Sequence, residues 1–231
     1  MYGRKEVMKV KKDVMILTGA GQIGMAIARR MGYGKKIVIG DKKPENAQKI
    51  AEIMNNAGFD AEAVEMDLSS RESMRNLIAR AMECGDISML VNAAGVSPSQ
   101  ATAEELLQLD ILQLENIRDT LHAYQMAKRC NEKRVMAEAV KWGKRNARIN
   151  SISPGIIVTP LAVDELNGPR GDFYKNMFAN CPAGRPGTAD EVANAAELLM
   201  SDKGAFITGA DFLIDGGATA SYFYGPLKPE K

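Results

Sequence analysis

"DVMILTGAGQIGMAIARRM" (residues 13–31) decides the fold. Its first six residues form a short apolar run, the mark of a buried parallel strand. From Gly21 onward the apolar residues recur at helical spacing. Between the two lie Gly19, Gly21 and Gly24 in a G-x-G-x-x-G pattern. Glycines there allow a tight turn and a close backbone approach to a pyrophosphate. The helix N-terminus offers the anion unpaired N–H groups and the positive end of its dipole. Gln22 and Ile23, inside the same turn, join the three glycines as candidate cofactor-binding positions. The competing reading is a tight turn that binds nothing.

Asp41 weighs against that competing reading. It ends the next predicted strand, "KIVIG" (36–40), and stands 17 residues after Gly24. A carboxylate at that place accepts hydrogen bonds from both hydroxyls of an adenosine ribose. It also opposes a 2′-phosphate of like charge, so NAD is the expected cofactor. Lys42 and Lys43 follow immediately, and either could neutralise such a phosphate, which keeps NADP possible.

The rest of the first half repeats the alternation. Helix is expected over 44–57, with Pro44 suited to its first turn, strand over 61–67, helix over 69–85 and strand over 87–92. Ser70 and Ser73 flank the acidic first turn of the 69–85 helix. Strands and helices in this order predict a three-layer, doubly wound α/β fold of Rossmann type with a parallel sheet. The second half begins with a short helical piece at 102–109 and a long amphipathic helix at about 116–142. A strand is expected at 147–153 and a last strand and turn at 210–217, with a helix at about 188–201. Residues 161–187, rich in Gly, Pro and Asn, read as a mobile excursion. No linker divides the chain, so residues 1–231 read as one dinucleotide-binding domain.

Composition narrows the functional classes. With 231 residues, 45% hydrophobic and 26% charged, the chain is long enough to bury a core. A formal net charge of +1 gives no reason to expect a nucleic acid or an anionic membrane as partner. The basic start, "MYGRKEVMKVKK", has no apolar run behind it, and no run is long enough to span a bilayer. A cytoplasmic, unanchored protein is the expectation. Cys84, Cys130 and Cys181 are widely spaced, and His122 is the only histidine, so no metal site is expected. The fourteen methionines read as core filler.

"YQMAK" (124–128) places Tyr124 and Lys128 at i and i+4, on one side of a helix. A phenol with a reference pKa of about 10 needs roughly 4 kcal/mol to be brought near neutrality. A cation about 4 Å away, at an effective dielectric of about 20, supplies a term of that size. Tyr124 is then a candidate general acid in carbonyl reduction and base in alcohol oxidation. Taken alone, the spacing is as readily packing. His122 and Trp142 read as structural.

Together these motifs resemble the short-chain dehydrogenase/reductase family. The resemblance covers nearly the whole chain through "TGAGQIG" (18–24), Asp41, "MDL" (66–68), "NAAG" (92–95), "YQMAK" (124–128), "SPGIIVTP" (153–160) and "ITGADFLIDGG" (207–217). It implies that Asp67 and Leu68 hold the adenine and that Asn92, Ala93, Ala94 and Gly95 line the cofactor near its ribose. It further implies that Pro154, Gly155, Ile157 and Thr159 meet the nicotinamide side, with Thr159 bonded to the carboxamide. Lys128 holds the nicotinamide ribose, and 161–187 forms a lid over the substrate. A homo-oligomer is implied as well.

One piece of the family pattern is not found. Members place a strand ending in a substrate-binding serine before the tyrosine helix, and the position of that serine falls on Ile111. Only 28 residues separate Gly95 from Tyr124, which implies one missing central strand with its join near Asp110–Ile111–Leu112. Asp110 stands where the family often has an asparagine that anchors a proton-relay water, and is carried as a catalytic candidate. Ser97 could stand in for the serine, but reads as a loop residue.

The expected function is transfer of a hydride between nicotinamide and a small-molecule carbonyl or secondary alcohol. The alternative is a dinucleotide-binding protein with impaired catalysis. A methyltransferase using the glycine turn for adenosylmethionine leaves "YQMAK" and "SPGIIVTP" unexplained.

Overall fold

The computed structural model describes residues 12–94, 119–169 and 171–228. They fall into two compact units, within Met1–Ala94 and Gly95–Lys231. The predicted 102–109 helix, the Asp110–Leu112 join, Gly95 and Ser97 lie outside the described residues.

The first unit alternates strands β1 (Lys12–Thr18), β2 (Lys36–Asp41), β3 (Asp60–Glu65) and β4 (Gly85–Asn92) with helices α1 (Gln22–Met31), α2 (Pro44–Asn56) and α3 (Arg71–Cys84). All strand pairs are parallel, in the order β3-β2-β1-β4. This is the Rossmann-type α/β arrangement that the sequence predicts. Parallel strands covered on both faces read as unbroken apolar runs. Accordingly, Val14, Met15 and Leu17 in β1 and Ile37, Val38 and Ile39 in β2 are fully buried. Leu77 and Ala81 of α3 complete one side of this core with Val14, Ile16, Val38 and Met66.

Helix starts follow local chemistry. Pro44 occupies the first turn of α2, and Ser70 caps α3 by accepting from the Ser73 N–H at 3.2 Å. The chain runs outward from β1 to β3 and then returns to β4 on the other side of β1. Strand order therefore reverses between β1 and β4, and ligands of open parallel sheets bind at the carboxyl ends of strands at such a switch point.

The second unit contains helix α4 (Thr120–Gly143), strand β5 (Ser151–Pro154), helices α5 (Pro160–Asn167), α6 (Gly171–Asn180) and α7 (Ala189–Met200), strand β6 (Asp211–Ile214) and helix α8 (Ala218–Tyr224). Strands β5 and β6 form a two-stranded parallel sheet, registered from Ser151↔Asp211 to Pro154↔Ile214. Strand β5 is shorter than the sequence predicts, and β6 ends at the expected turn.

The 161–187 excursion contains two helices, α5 and α6, which the sequence reading did not single out. Thr159 caps α5 by accepting from the Ala162 N–H at 3.2 Å, and Pro160 fits its first turn. The break at Gly168 then separates α5 from α6. Helix α7 starts with a capping box in which Thr188 and Glu191 each satisfy the other's backbone N–H. Arg185 grips the Glu191 carboxylate with two bonds of 2.6 and 2.9 Å. Its guanidinium, with the Thr188 N–H, holds the Glu191 carboxyl down at about 2.

Candidate active site

The glycine turn joins β1 to α1, and each of its glycines has a separate physical reason. Gly19 takes a left-handed φ of +89°, and its N–H donates to the Gly40 carbonyl at 2.7 Å. A Cβ on Gly19 would stand 2.5 Å from the Ala94 nitrogen, so only glycine lets the end of β4 pass. A Cβ on Gly24 would meet Gly19 O and Leu17 Cδ1 at 2.9 Å, so this glycine lets α1 lie against β1. Gly21 differs. Nothing lies within 4 Å of the Cβ it lacks, and as N-cap of α1 it offers no side chain to the first-turn N–H groups. Open space before uncapped donors at a helix N-terminus fits a pyrophosphate. Gln22 and Ile23 begin α1 at this point.

Asp41 ties the turn to the next loop. Its Oδ2 accepts from the Ala20 N–H at 2.8 Å, and its Oδ1 accepts from the Lys43 N–H at 2.9 Å. The Met66 N–H donates to the Asp41 carbonyl at 2.9 Å, which brings the "MDL" stretch alongside. Within that stretch Leu68 is partly exposed. Asp67 accepts from both the N–H and the hydroxyl of Ser69 and pairs with Lys42 at 3.1 Å. The Ser69 bonds, aided by Lys42, lower the Asp67 carboxyl to about 2.

At the far side of the turn Asn92 accepts from the Thr18 hydroxyl at 2.8 Å. The Ala93 N–H donates to the Thr18 carbonyl at 2.9 Å. The ends of β1 and β4 are thereby locked side by side, with Ala93 and Ala94 against Gly19. Thr18 was not a candidate from sequence. Its signal was a hydroxyl at a strand end directly before the glycines.

In the second unit Tyr124 is half-buried on α4, which Asp119 caps by accepting from the His122 N–H at 2.8 Å. Lys128 lies one turn on. Its Nζ stands over the Tyr124 ring, 5.3 Å from the centroid. The Tyr124 phenol is pushed up from its ordinary pKa, first by burial and then by the charge of Glu165 on α5. This corrects the expectation that the lysine makes the phenol more acidic.

The "SPGIIVTP" positions follow on β5. Pro154 pairs with Ile214, and the Gly155 N–H donates to the Ile214 carbonyl at 3.1 Å. A Cβ on Gly155 would stand 2.7 Å from the Asp215 Cα, so the two chains pass too closely for any other residue. Ile157 is buried and bridges to Gly187. The Thr159 hydroxyl, which accepts from Ala162, still has its own proton to donate. Beside this run a cleft of about 210 Å³ is lined by Gly155, Ile157, Met177, Phe178, Cys181 and Asp215, among others.

A family model described as short chain dehydrogenase matches residues 13–117. A second, described as enoyl-(acyl carrier protein) reductase, matches residues 103–219. The chain belongs to the short-chain dehydrogenase/reductase family. Among its relatives is D-threitol dehydrogenase of Mycolicibacterium smegmatis, 32% identical over 89% of this chain and 92% of that protein. Another is the short-chain dehydrogenase/reductase bsc3 of Alternaria brassicicola, 29% identical over 91% of this chain and 97% of that protein. The crystal structure of gox2181 superposes with a TM-score of 0.77 at 25% identity, covering 91% of this chain and 97% of its own.

As a member of this family the protein is an oxidoreductase. The expectation of a missing strand at Asp110–Leu112 is not borne out, because the two family matches run through that stretch. Among the described residues no helix is long and apolar enough to cross a membrane.

Proposed function

We propose that this protein uses NAD to transfer a hydride to or from a small secondary alcohol or carbonyl compound, with Tyr124 as general acid and base. The observation that carries the cofactor half is the open, uncapped space at Gly21, backed by Asp41 on the ribose side. When bound, the nicotinamide supplies hydride transfer at its C4. The N–H groups at the start of α1, Gln22 to Gly24, receive the pyrophosphate, and Gly19 and Gly21 leave it room. Asp41 accepts from the ribose hydroxyls and repels a 2′-phosphate. Asp67, Leu68 and Asn92 to Gly95 flank the adenosine half, and Thr159 offers its O–H to the carboxamide.

Tyr124 gives its hydroxyl proton to the substrate oxygen on reduction and takes it back on oxidation. A phenol is protonated at neutral pH in any case, and burial with the Glu165 charge shifts it further in that direction, which suits the donor role and opposes the base role. Lys128 binds the nicotinamide ribose, and Asp110 serves the proton relay. Relatives named as dehydrogenases of D-threitol and of a 7alpha-hydroxysteroid support an alcohol substrate. A homo-oligomer in the cytoplasm completes the reading.

A second reading, dinucleotide binding without turnover, is favoured by the direction in which the Tyr124 phenol is shifted and by Ile111 at the serine position. One experiment tests both. The purified chain is titrated with NADH and screened for oxidation of secondary alcohols and reduction of ketones, beside Tyr124→Phe. Loss of about 10²–10⁴-fold in turnover with NADH affinity unchanged supports Tyr124 as acid and base. Tyr124→Phe turning over at the parent rate overturns that role, and binding without any turnover in the parent chain supports the second reading.

A further inference from the structure

Two lysines follow Asp41, and by sequence either one could meet a 2′-phosphate. The structure commits one of them elsewhere. Lys42 Nζ lies 3.1 Å from Asp67 Oδ2. The other Asp67 oxygen is taken by Ser69, through its N–H at 2.9 Å and its hydroxyl at 2.7 Å. Both carboxylate oxygens therefore have partners that favour the ionised form, and the lysine is held by a group that stays charged through the whole neutral range.

Asp41 is constrained in the same way. One oxygen accepts from Ala20 and the other from Lys43, so turning the carboxylate away from an incoming phosphate breaks two hydrogen bonds. The repelling carboxylate cannot readily move off, and Lys42, one of the two neighbouring lysines that could neutralise the phosphate, is engaged.

We propose that Asp67 is a second determinant of cofactor choice, acting by holding Lys42 away from the ribose 2′ position. The inference rests on the NAD-dependent reading above. The Lys42 side chain is 76% exposed, so the restraint is a modest one. Exposed pairs of this kind change an equilibrium by no more than about fivefold. The effect is accordingly one on the ratio of affinities for NADPH and NADH. Any contact between Asp67 and the adenine is common to both cofactors and cancels in that ratio.

The test is a double-mutant cycle on the full chain, with dissociation constants for NADH and NADPH measured by nucleotide fluorescence. Asp67→Asn is expected to raise NADPH affinity relative to NADH by about three- to fivefold. Lys42→Ala alone is expected to leave the ratio within about twofold, because the lysine is already engaged. In the double variant the gain disappears. A gain that survives in the double variant overturns the proposal, since Asp67 then acts through its own charge. So does an unchanged ratio in Asp67→Asn, or a Lys42→Ala chain that loses NADPH affinity, which shows the lysine already reaching the phosphate. Asp67→Ser, which also removes the charge, repeats the arm should the asparagine variant fold poorly. If the parent chain binds neither nucleotide, the failure lies with the NAD-dependent reading and not with the role of Lys42.

Discussion

The two units hold their strands together by different means. In the first, burial does it: Met15, Leu17, Ile37 and Ile39 lose all contact with solvent. In the second, no residue of β5 or β6 is buried, and Leu213 is 53% exposed. Polar side chains tie those strands instead. Ser151 and Ser153 both donate to Asp211 Oδ1, at 2.7 and 2.9 Å. Asn150 donates to the Ile207 carbonyl and accepts from the Ala210 N–H. Arg148 gives its guanidinium protons to the carbonyls of Leu199, Ser201 and Gly204, where α7 ends. Apolar burial is non-directional and sets strand position through volume, whereas hydrogen bonds set register through geometry. The cofactor turn thus stands on a packed base, and the "SPGIIVTP" run stands on a polar lattice.

The sharpest way to break this contrast is truncation. Met15→Ala should cost about 2–5 kcal/mol in urea unfolding, from lost burial plus the cavity left behind. Leu213→Ala, on the exposed strand, should change stability by less than about 0.5 kcal/mol. Equal costs at the two positions would erase the distinction. Next in size, Arg148→Ala leaves carbonyls without their donor and should cost about 1–3 kcal/mol. Amide exchange at Ser151, Ile152 and Ser153 should speed up selectively, while β1 stays protected. Smaller again is Thr188→Ala, which removes one half of the α7 capping box and should cost about 1 kcal/mol by thermal or urea unfolding.

The same contrast explains what could be read in advance. The 13–18 and 36–40 runs became β1 and β2 within a residue, because strands covered on both faces cannot hide their composition. Pro44 and Ser70 marked their helix starts for equally local reasons. The glycines of the turn were legible because each answers to backbone angle or space. Helix α5 was missed although Thr159 and Pro160 are a sound cap and first turn, since that pair had already been absorbed into a cofactor motif. Helix α8, entered where Asp215 accepts from the Gly217 and Thr219 N–H groups, received no reading from sequence.

The acidity of Tyr124 was misread for a different reason. Spacing along one helix reveals that Lys128 is near, but not that its ammonium sits over the ring or that Glu165 arrives from another helix. The ties from Arg148 and Asn150 join residues more than fifty positions apart and have no local signature.

The bridge that Asp41 builds from Ala20 to Lys43 has a thermodynamic corollary. A loop already clamped into shape by its own chain surrenders little disorder on complex formation, so more of each contact's enthalpy survives as affinity. Severing that clamp would make the nucleotide organise its own receptacle, and the penalty would surface as a less favourable binding entropy.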